Sequence, residues 1–218
     1  PPSGFTKGIY SIGNTFLYLL PTNVGISPFS NSYKDNQDFS LWNYGMRLDA
    51  GFIGFLGLGA SWSKYNLNTI YANRQFTAFK GVASLYFSKQ LIVSGSYGTL
   101  NIPGEPNKKV GDATIRFENP DVFSVVGDYE NNDARLLLYA PTMIFTRLNS
   151  ELYRLTTYYQ HRNILRVSFY YSYYDISDGN YGNDFQLRLG KKFIDNGMFG
   201  YEYFFSDFAF VSSYYYSP

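Results

Sequence analysis

Leu165-Arg166-Val167-Ser168-Phe169-Tyr170-Tyr171-Ser172-Tyr173-Tyr174 alternates with a period of two. Leu165, Val167, Phe169, Tyr171 and Tyr173 fall on one side, and Arg166, Ser168, Tyr170, Ser172 and Tyr174 on the other. Helical spacing would mix these sets, whereas a pleated strand sends successive side chains to opposite faces. The same division separates Trp42, Tyr44, Met46, Leu48, Ala50 and Phe52 from Asn43, Gly45, Arg47 and Asp49. It recurs in Leu56, Leu58, Ala60 and Trp62 against Gly57, Gly59, Ser61 and Ser63. Two further copies set Phe185, Leu187 and Leu189 against Gln186, Arg188 and Gly190, and Phe199, Tyr201, Tyr203 and Phe205 against Gly200, Glu202, Phe204 and Ser206. Weaker copies run through 9–20, 74–88, 91–101, 112–118, 122–130 and 151–160. About twelve strands result, most of roughly 9–15 residues, against about 5–6 in an ordinary globular sheet.

Composition narrows the class. Of 218 residues, 21% are aromatic and 16% charged, where a soluble domain carries about 25% charge. Disorder requires the reverse balance. With no cysteine there is no disulfide and no thiolate-held zinc or iron–sulfur site, and one histidine excludes a multi-histidine centre. A net charge of +1 offers no basic face for nucleic acid. No stretch reaches the roughly 20 apolar residues of a spanning helix; the longest, Gly51 to Ala60, contains four glycines. Pro1-Pro2-Ser3-Gly4 does not read as a signal peptide, so a mature product or a fragment is expected. Absent thiols are compatible with an oxidising periplasm. No domain boundary is visible, and one domain over 1–218 is expected.

Turn chemistry separates the strands at Phe52-Ile53-Gly54-Phe55, Ser88-Lys89-Gln90, Asn119-Pro120-Asp121 and Asp195-Asn196-Gly197. Longer polar connections are expected at 21–38, 65–74, 101–111 and 175–183. Short turns alternating with long loops are the pattern of an outer-membrane barrel. Around 130–163 the pattern fails: Leu136-Leu137-Leu138 breaks the alternation and Pro141 removes a ladder donor. That segment reads either as a bulged strand or as a non-strand piece folded against the wall.

A soluble sandwich shares the period of two but exposes many Lys and Glu. Here the polar faces are mostly Ser, Thr, Gly, Asn and Gln, and Tyr, Phe and Trp recur near strand ends, as in the aromatic girdles of a membrane barrel. Closure satisfies every backbone group, as lipid demands. The fold class expected is therefore all-β, an antiparallel transmembrane β-barrel. With the apolar face outward, the lumen would hold Arg47, Lys80, Arg116, Arg154, Arg166, Arg188 and Lys192 against Asp49, Glu118 and Glu202. Such a lumen would favour anions or an acidic polymer. The plainer reading is that these charges pair across strands and hold the barrel's shape.

One further pattern lies toward the C-terminus: the strand Ser168-Phe169-Tyr170-Tyr171-Ser172-Tyr173-Tyr174, then Ser177-Asp178-Gly179-Asn180, another strand, and Tyr214-Tyr215-Tyr216-Ser217-Pro218. In order and spacing this resembles the C-terminal barrel of tetratricopeptide-repeat outer-membrane exopolysaccharide exporters, the cellulose and poly-N-acetylglucosamine secretion porins. The resemblance covers about a quarter of the chain and implies a pore for a polysaccharide, working with a periplasmic repeat or envelope protein. Two departures stand out: no 34-residue period precedes the barrel, and the family's barrel continues for several strands beyond the position of Pro218. Part of a larger barrel is therefore one expectation. The residues that carry over, Ser177 to Asn180 and Tyr215 to Pro218, read as structural.

No constellation for catalysis stands out, and an enzyme is not expected. His161, beside Arg162-Asn163, reads as a solvated turn residue rather than part of a triad. Asp49, Glu118 and Glu202 show no spacing that singles out a glycosidase pair. Gly54, Gly57 and Gly59 give backbone relief rather than a phosphate loop. Asp35, Asn36 and Asp38 could hold calcium, although a solvated loop is the plainer reading. No cofactor and no metal is expected. The expectations for function are a conduit exporting a polysaccharide or related polymer, a structural or interaction barrel anchoring an envelope complex, and a diffusive porin for small solutes. Each places the chain in the bacterial outer membrane among lipid and lipopolysaccharide.

Overall fold

Where the alternation runs, strands form. The computed structural model describes residues 8–12, 17–19, 24–34, 39–53, 55–119, 122–137, 144–161, 165–194 and 197–208. Thirteen strands lie among them: β1 (Gly8–Ile12), β2 (Leu17–Leu19), β3 (Val24–Lys34), β4 (Ser40–Ile53), β5 (Leu56–Asn68), β6 (Asn73–Tyr86), β7 (Leu91–Asn101), β8 (Lys108–Asn119), β9 (Phe123–Asp133), β10 (Asn149–His161), β11 (Leu165–Ile176), β12 (Tyr181–Ile194) and β13 (Gly197–Phe208). One short helix, α1 (Ala134–Leu137), follows β9. A single antiparallel sheet holds every strand, and from β3 to β13 each pairs with its neighbour in sequence.

β1 and β2 share the free side of β3. β1 pairs from Gly8↔Lys34 to Ile12↔Ser30 and β2 from Leu17↔Ile26 to Leu19↔Val24, a register offset of one residue. Pro28 sits in the gap between them, where a residue without an N–H does least harm to the ladder. Among the described residues no ladder joins β13 to β1. The sheet is strongly curled all the same, because side chains of β3–β5 and of β9–β11 line one cavity. The all-β, antiparallel part of the expectation is thus met.

Connections sort by end. The short ones, 54–55, 87–90, 120–122, 162–164 and 195–196, share one end, here the turn end; 35–39, 69–72, 102–107, 134–148 and 177–180 share the other, the loop end. Their lengths differ from expectation. Most of 21–38 is strand β3: Gly25, Pro28 and three serines weaken its propensity, but β4 offers a continuous edge and pairs with all 11 of its residues. The loops expected at 65–74, 101–111 and 175–183 contract to 69–72, 102–107 and 177–180 for the same reason. Of the two readings of 130–163, the non-strand piece is the one found over the described residues 134–137 and 144–148; Leu138 and Pro141 lie outside the described residues.

The two faces differ sharply. Every strand from β4 to β13 puts large apolar or aromatic side chains on the convex face, among them Trp42 (51% exposed), Phe79 (56%), Tyr97 (64%), Ile115 (53%) and Tyr201 (56%). The concave face is polar through its middle, but at the loop end it is not. There Leu41, Leu67, Phe76, Leu100 and Val110 point inward and bury with Phe39, Ile102, Leu136 and Ile144. An apolar core inside the curl overturns, at this end, the expectation that grease faces only outward.

Candidate functional site

Asp133 ends β9 and turns the chain inward. Its Oδ1 accepts the backbone N–H of Arg135 at 3.0 Å, a cap that starts α1. The Ala134 N–H donates to the Leu148 carbonyl at 3.0 Å, so the 134–148 connection leaves and rejoins the sheet at one place. Leu136 and Ile144 are carried into the core of β4–β8. Full burial of such side chains contributes about 1.5–3 kcal/mol each.

Arg135 is 1% exposed, and its guanidinium makes four hydrogen bonds to carboxylates. Nε and Nη2 donate to Asp133 Oδ1 and Oδ2 at 2.8 Å each. Nη1 and Nη2 donate to Glu105 Oε1 and Oε2 at 2.8 Å. The Phe76 ring lies 5.0 Å from its central carbon. Lys108 Nζ adds a bond to Asp133 at 2.5 Å and others to the Arg147 and Leu148 carbonyls at 2.9 and 3.1 Å. Two cations and two carboxylates therefore meet in one hydrogen-bonded network, with Arg147 Nε a further 3.9 Å from Glu105, and such pairing is the condition under which buried charge is tolerated. Its hydrogen bonds from Arg135 hold the Glu105 carboxyl below the usual carboxylate range, and the two carboxylates push Arg135 still further toward its charged form. Sequence reading singled out none of these four residues; the broken alternation at Leu136-Leu137-Leu138, beside an arginine, was the available signal.

Beneath α1 lies a cavity of about 540 Å³. Leu136 and Leu137 form one side. β3–β5 contribute Asn31, Asn43 and Tyr65; β9–β11 contribute Glu130, Arg154 and Tyr170. Asn31, Asn43 and Tyr65 are direct register neighbours on three adjacent strands. Arg154 Nη2 lies 3.6 Å from Glu130 Oε2.

The expected lumen residues fall on the concave face by register, but they are not left as an excess of base. Asp112, Asp128, Glu130 and Asp184, which the sequence reading did not assign, share that face. Arg47 pairs with Asp49 at 2.8 Å, Lys80 with Asp112 at 2.7 Å, and Arg154 with Glu130. Lys80 reaches Asp112 across the whole of β7, and its register partner there is Gly98, which has no side chain to obstruct it. Arg116 and Glu118 lie toward the turn end of β8, away from the cavity. Arg166 and Arg188, with Tyr158 and Ser168, line a second, more open hollow of about 580 Å³. The side chains of Lys192 and Glu202 lie outside the described residues, as do Asp35, Asn36, Asp38 and the Tyr215 to Pro218 motif.

Ser177 to Asn180 form the β11–β12 turn. Gly179 takes φ +88°, which a side chain would oppose. The Asn180 N–H donates to Asp178 Oδ1 at 3.1 Å, and Ser177 Oγ accepts the Asn149 N–H at 3.0 Å, tying the turn to β10. His161 stands exposed at the end of β10, with Nδ1 3.3 Å from the Tyr159 hydroxyl. Among the described residues no three His, Asp or Glu side chains gather as a metal would require. Comparisons with protein-family models, with characterised proteins and with solved structures give no match.

Proposed function

We propose that the chain forms the wall of an outer-membrane β-barrel that conducts a polysaccharide or related polymer along its concave face. The observation that carries this reading is a ladder of tyrosines on the convex face near the loop end. Tyr129, Tyr153 and Tyr173 are register partners on β9, β10 and β11, and Tyr181 extends the row. Successive rings lie 5.1, 6.2 and 6.1 Å apart. At the turn end Phe117 and Phe123 pack at 5.3 Å, with Tyr159 beside Phe123 in register. Val125 and Leu155 fill the band between, and the six steps from Tyr153 to Tyr159 span about 20 Å of strand. An apolar band flanked by aromatic rows suits a bilayer with two interfaces. Strands of 11–14 residues from β3 to β13 are long enough for the roughly 9–11 that a bilayer needs.

The test is reconstitution. The purified chain should need detergent, insert into lipid vesicles, and pass ions across a planar bilayer. Stability as a monomer in plain buffer would exclude the membrane reading. In an open conduit, replacing Arg166 and Arg188 by glutamate should move selectivity toward cations. A second reading, an anchor whose interior stays shut, is favoured by the Arg135 network that fixes α1 in the concave face; membrane insertion without conductance would select it. Lipid, lipopolysaccharide and a periplasmic repeat or envelope protein are the partners that either reading implies.

A further inference from the structure

We infer that Arg166 and Arg188, at the turn end of β11 and β12, form a subsite for the carboxylate of an acidic polysaccharide, over a floor cleared by Gly190 and Gly200. This rests on the conduit reading above and deepens it, by naming the class of polymer and the place where the wall holds it.

Register builds the hollow. Arg166 faces Gly190 on β12, and Gly190 faces Gly200 on β13, so two successive positions beside the arginine carry no side chain. In the next row inward on the same face, Tyr158, Ser168 and Arg188 are successive partners. These six residues line the space of about 580 Å³. As diagonal neighbours on adjacent strands, the two arginines start about 7–8 Å apart, a spacing from which two long side chains can meet over one acid group. The backbone does not demand glycine at position 200. Its φ is not positive, and an added Cβ would meet nothing nearer than the Leu189 carbonyl at 3.5 Å, an ordinary contact. What the missing side chain leaves is room in the hollow.

Charge selects the ligand. Arg47, Lys80, Lys108, Arg135 and Arg154 each reach a carboxylate. Arg166 is exposed, and among the described residues no carboxylate pairs with it. By register Lys192 and Glu202 flank the hollow as one base and one acid, so the two arginines set its sign. A guanidinium is a planar fork that fits a carboxylate through two parallel hydrogen bonds. The Tyr158 hydroxyl donates to Gln160 Oε1 at 2.5 Å, which leaves its oxygen to accept from a sugar hydroxyl. Short turns mark the periplasmic side of a barrel, where an exported polymer enters.

The experiment measures binding to the full chain in detergent by titration calorimetry, with a hexuronate hexamer, a neutral hexose hexamer of equal length and inorganic phosphate as probes. The hexuronate should bind about tenfold more tightly than the neutral hexamer. Arg166→Gln removes the charge, and Gly200→Leu fills the hollow while leaving every charge in place. Each should weaken the hexuronate about tenfold, with unchanged heat-dependent migration as the check on folding. Arg116→Gln, which alters a concave base outside the hollow, should leave the affinity unchanged. The subsite is overturned if the neutral hexamer binds as well as the hexuronate, or if either folded variant binds like the parent. It is overturned too if Arg116→Gln costs as much as Arg166→Gln, the mark of a diffuse field, or if phosphate displaces the hexuronate at equal concentration. Should Gly200→Leu fail to fold, Arg166→Gln against Arg116→Gln decides. A chain that inserts and conducts yet does not bind the hexuronate loses the subsite and keeps the conduit. A chain that stays monomeric in plain buffer loses the conduit itself.

Discussion

Glu105 grips Arg135 with both carboxylate oxygens, each 2.8 Å from a terminal guanidinium nitrogen, across 30 residues of sequence. Glu105 belongs to the β7–β8 loop and Arg135 to the first turn after β9, so this fork joins two loop-end connections inside the curl. With it in place, α1 cannot swing out of the concave face without stranding a buried cation.

Glu105→Ala should release that hold. Removing one partner from a buried ion pair costs about 3–5 kcal/mol, because the remaining charge has lost its compensation. The loss should be local, and amide hydrogen exchange reads it: Ala134, whose N–H bonds to Leu148, should exchange much faster while mid-strand amides of β4–β6 keep their protection.

Acid should act on the same place. The Glu105 carboxyl is held below its unfolded-chain value of 4.5 by hydrogen bonds from Arg135. A depressed folded value means that its contribution is in place above 4.5 and is lost as pH falls through the folded value. After correction for intrinsic rates, exchange at Ala134 should stay flat from about pH 7 to 5 and rise below about pH 4. In Glu105→Gln the rise attributable to this group should be absent.

Gly98→Val should damage β6–β7 pairing. A side chain built at this position would collide with the Phe79 carbonyl and with the Lys80 backbone, 2.7 Å from its Cα. It would also block the path of Lys80 to Asp112. Overpacking of this kind costs about 1–3 kcal/mol, and a lowered midpoint in urea unfolding from detergent is the expected result.

Neighbouring residues should respond unequally to the same change if the convex face meets lipid. Leu155 is on the convex face and Thr156 on the concave one. Leu155→Arg should cost about 2–4 kcal/mol near the bilayer midplane, whereas Thr156→Arg should cost far less. Folding yield in lipid vesicles separates the two, and equal yields would count against a lipid-facing convex surface.

The sequence by itself determined the strands and their two faces, because a period of two needs no partner to be read. Trp42 to Phe52 and Leu165 to Tyr174 assign every side chain to a side, and the turns at 54–55 and 195–196 follow from local backbone chemistry. Weakly patterned segments were another matter. β3 reads as a loop until β4 supplies an edge to pair with, and the register of β8 with β9 sets Asp112 opposite Glu130 and Thr114 opposite Asp128. The inward turn at Asp133 was still less legible. Its network joins residues 105, 108, 133 and 135 through side-chain geometry, and no spacing along the chain encodes a fork that closes only when the sheet has curled. Curling also brings Asn43 opposite Arg154, since residues on β4 and β10 share a cavity only after the strands between them have bent around it.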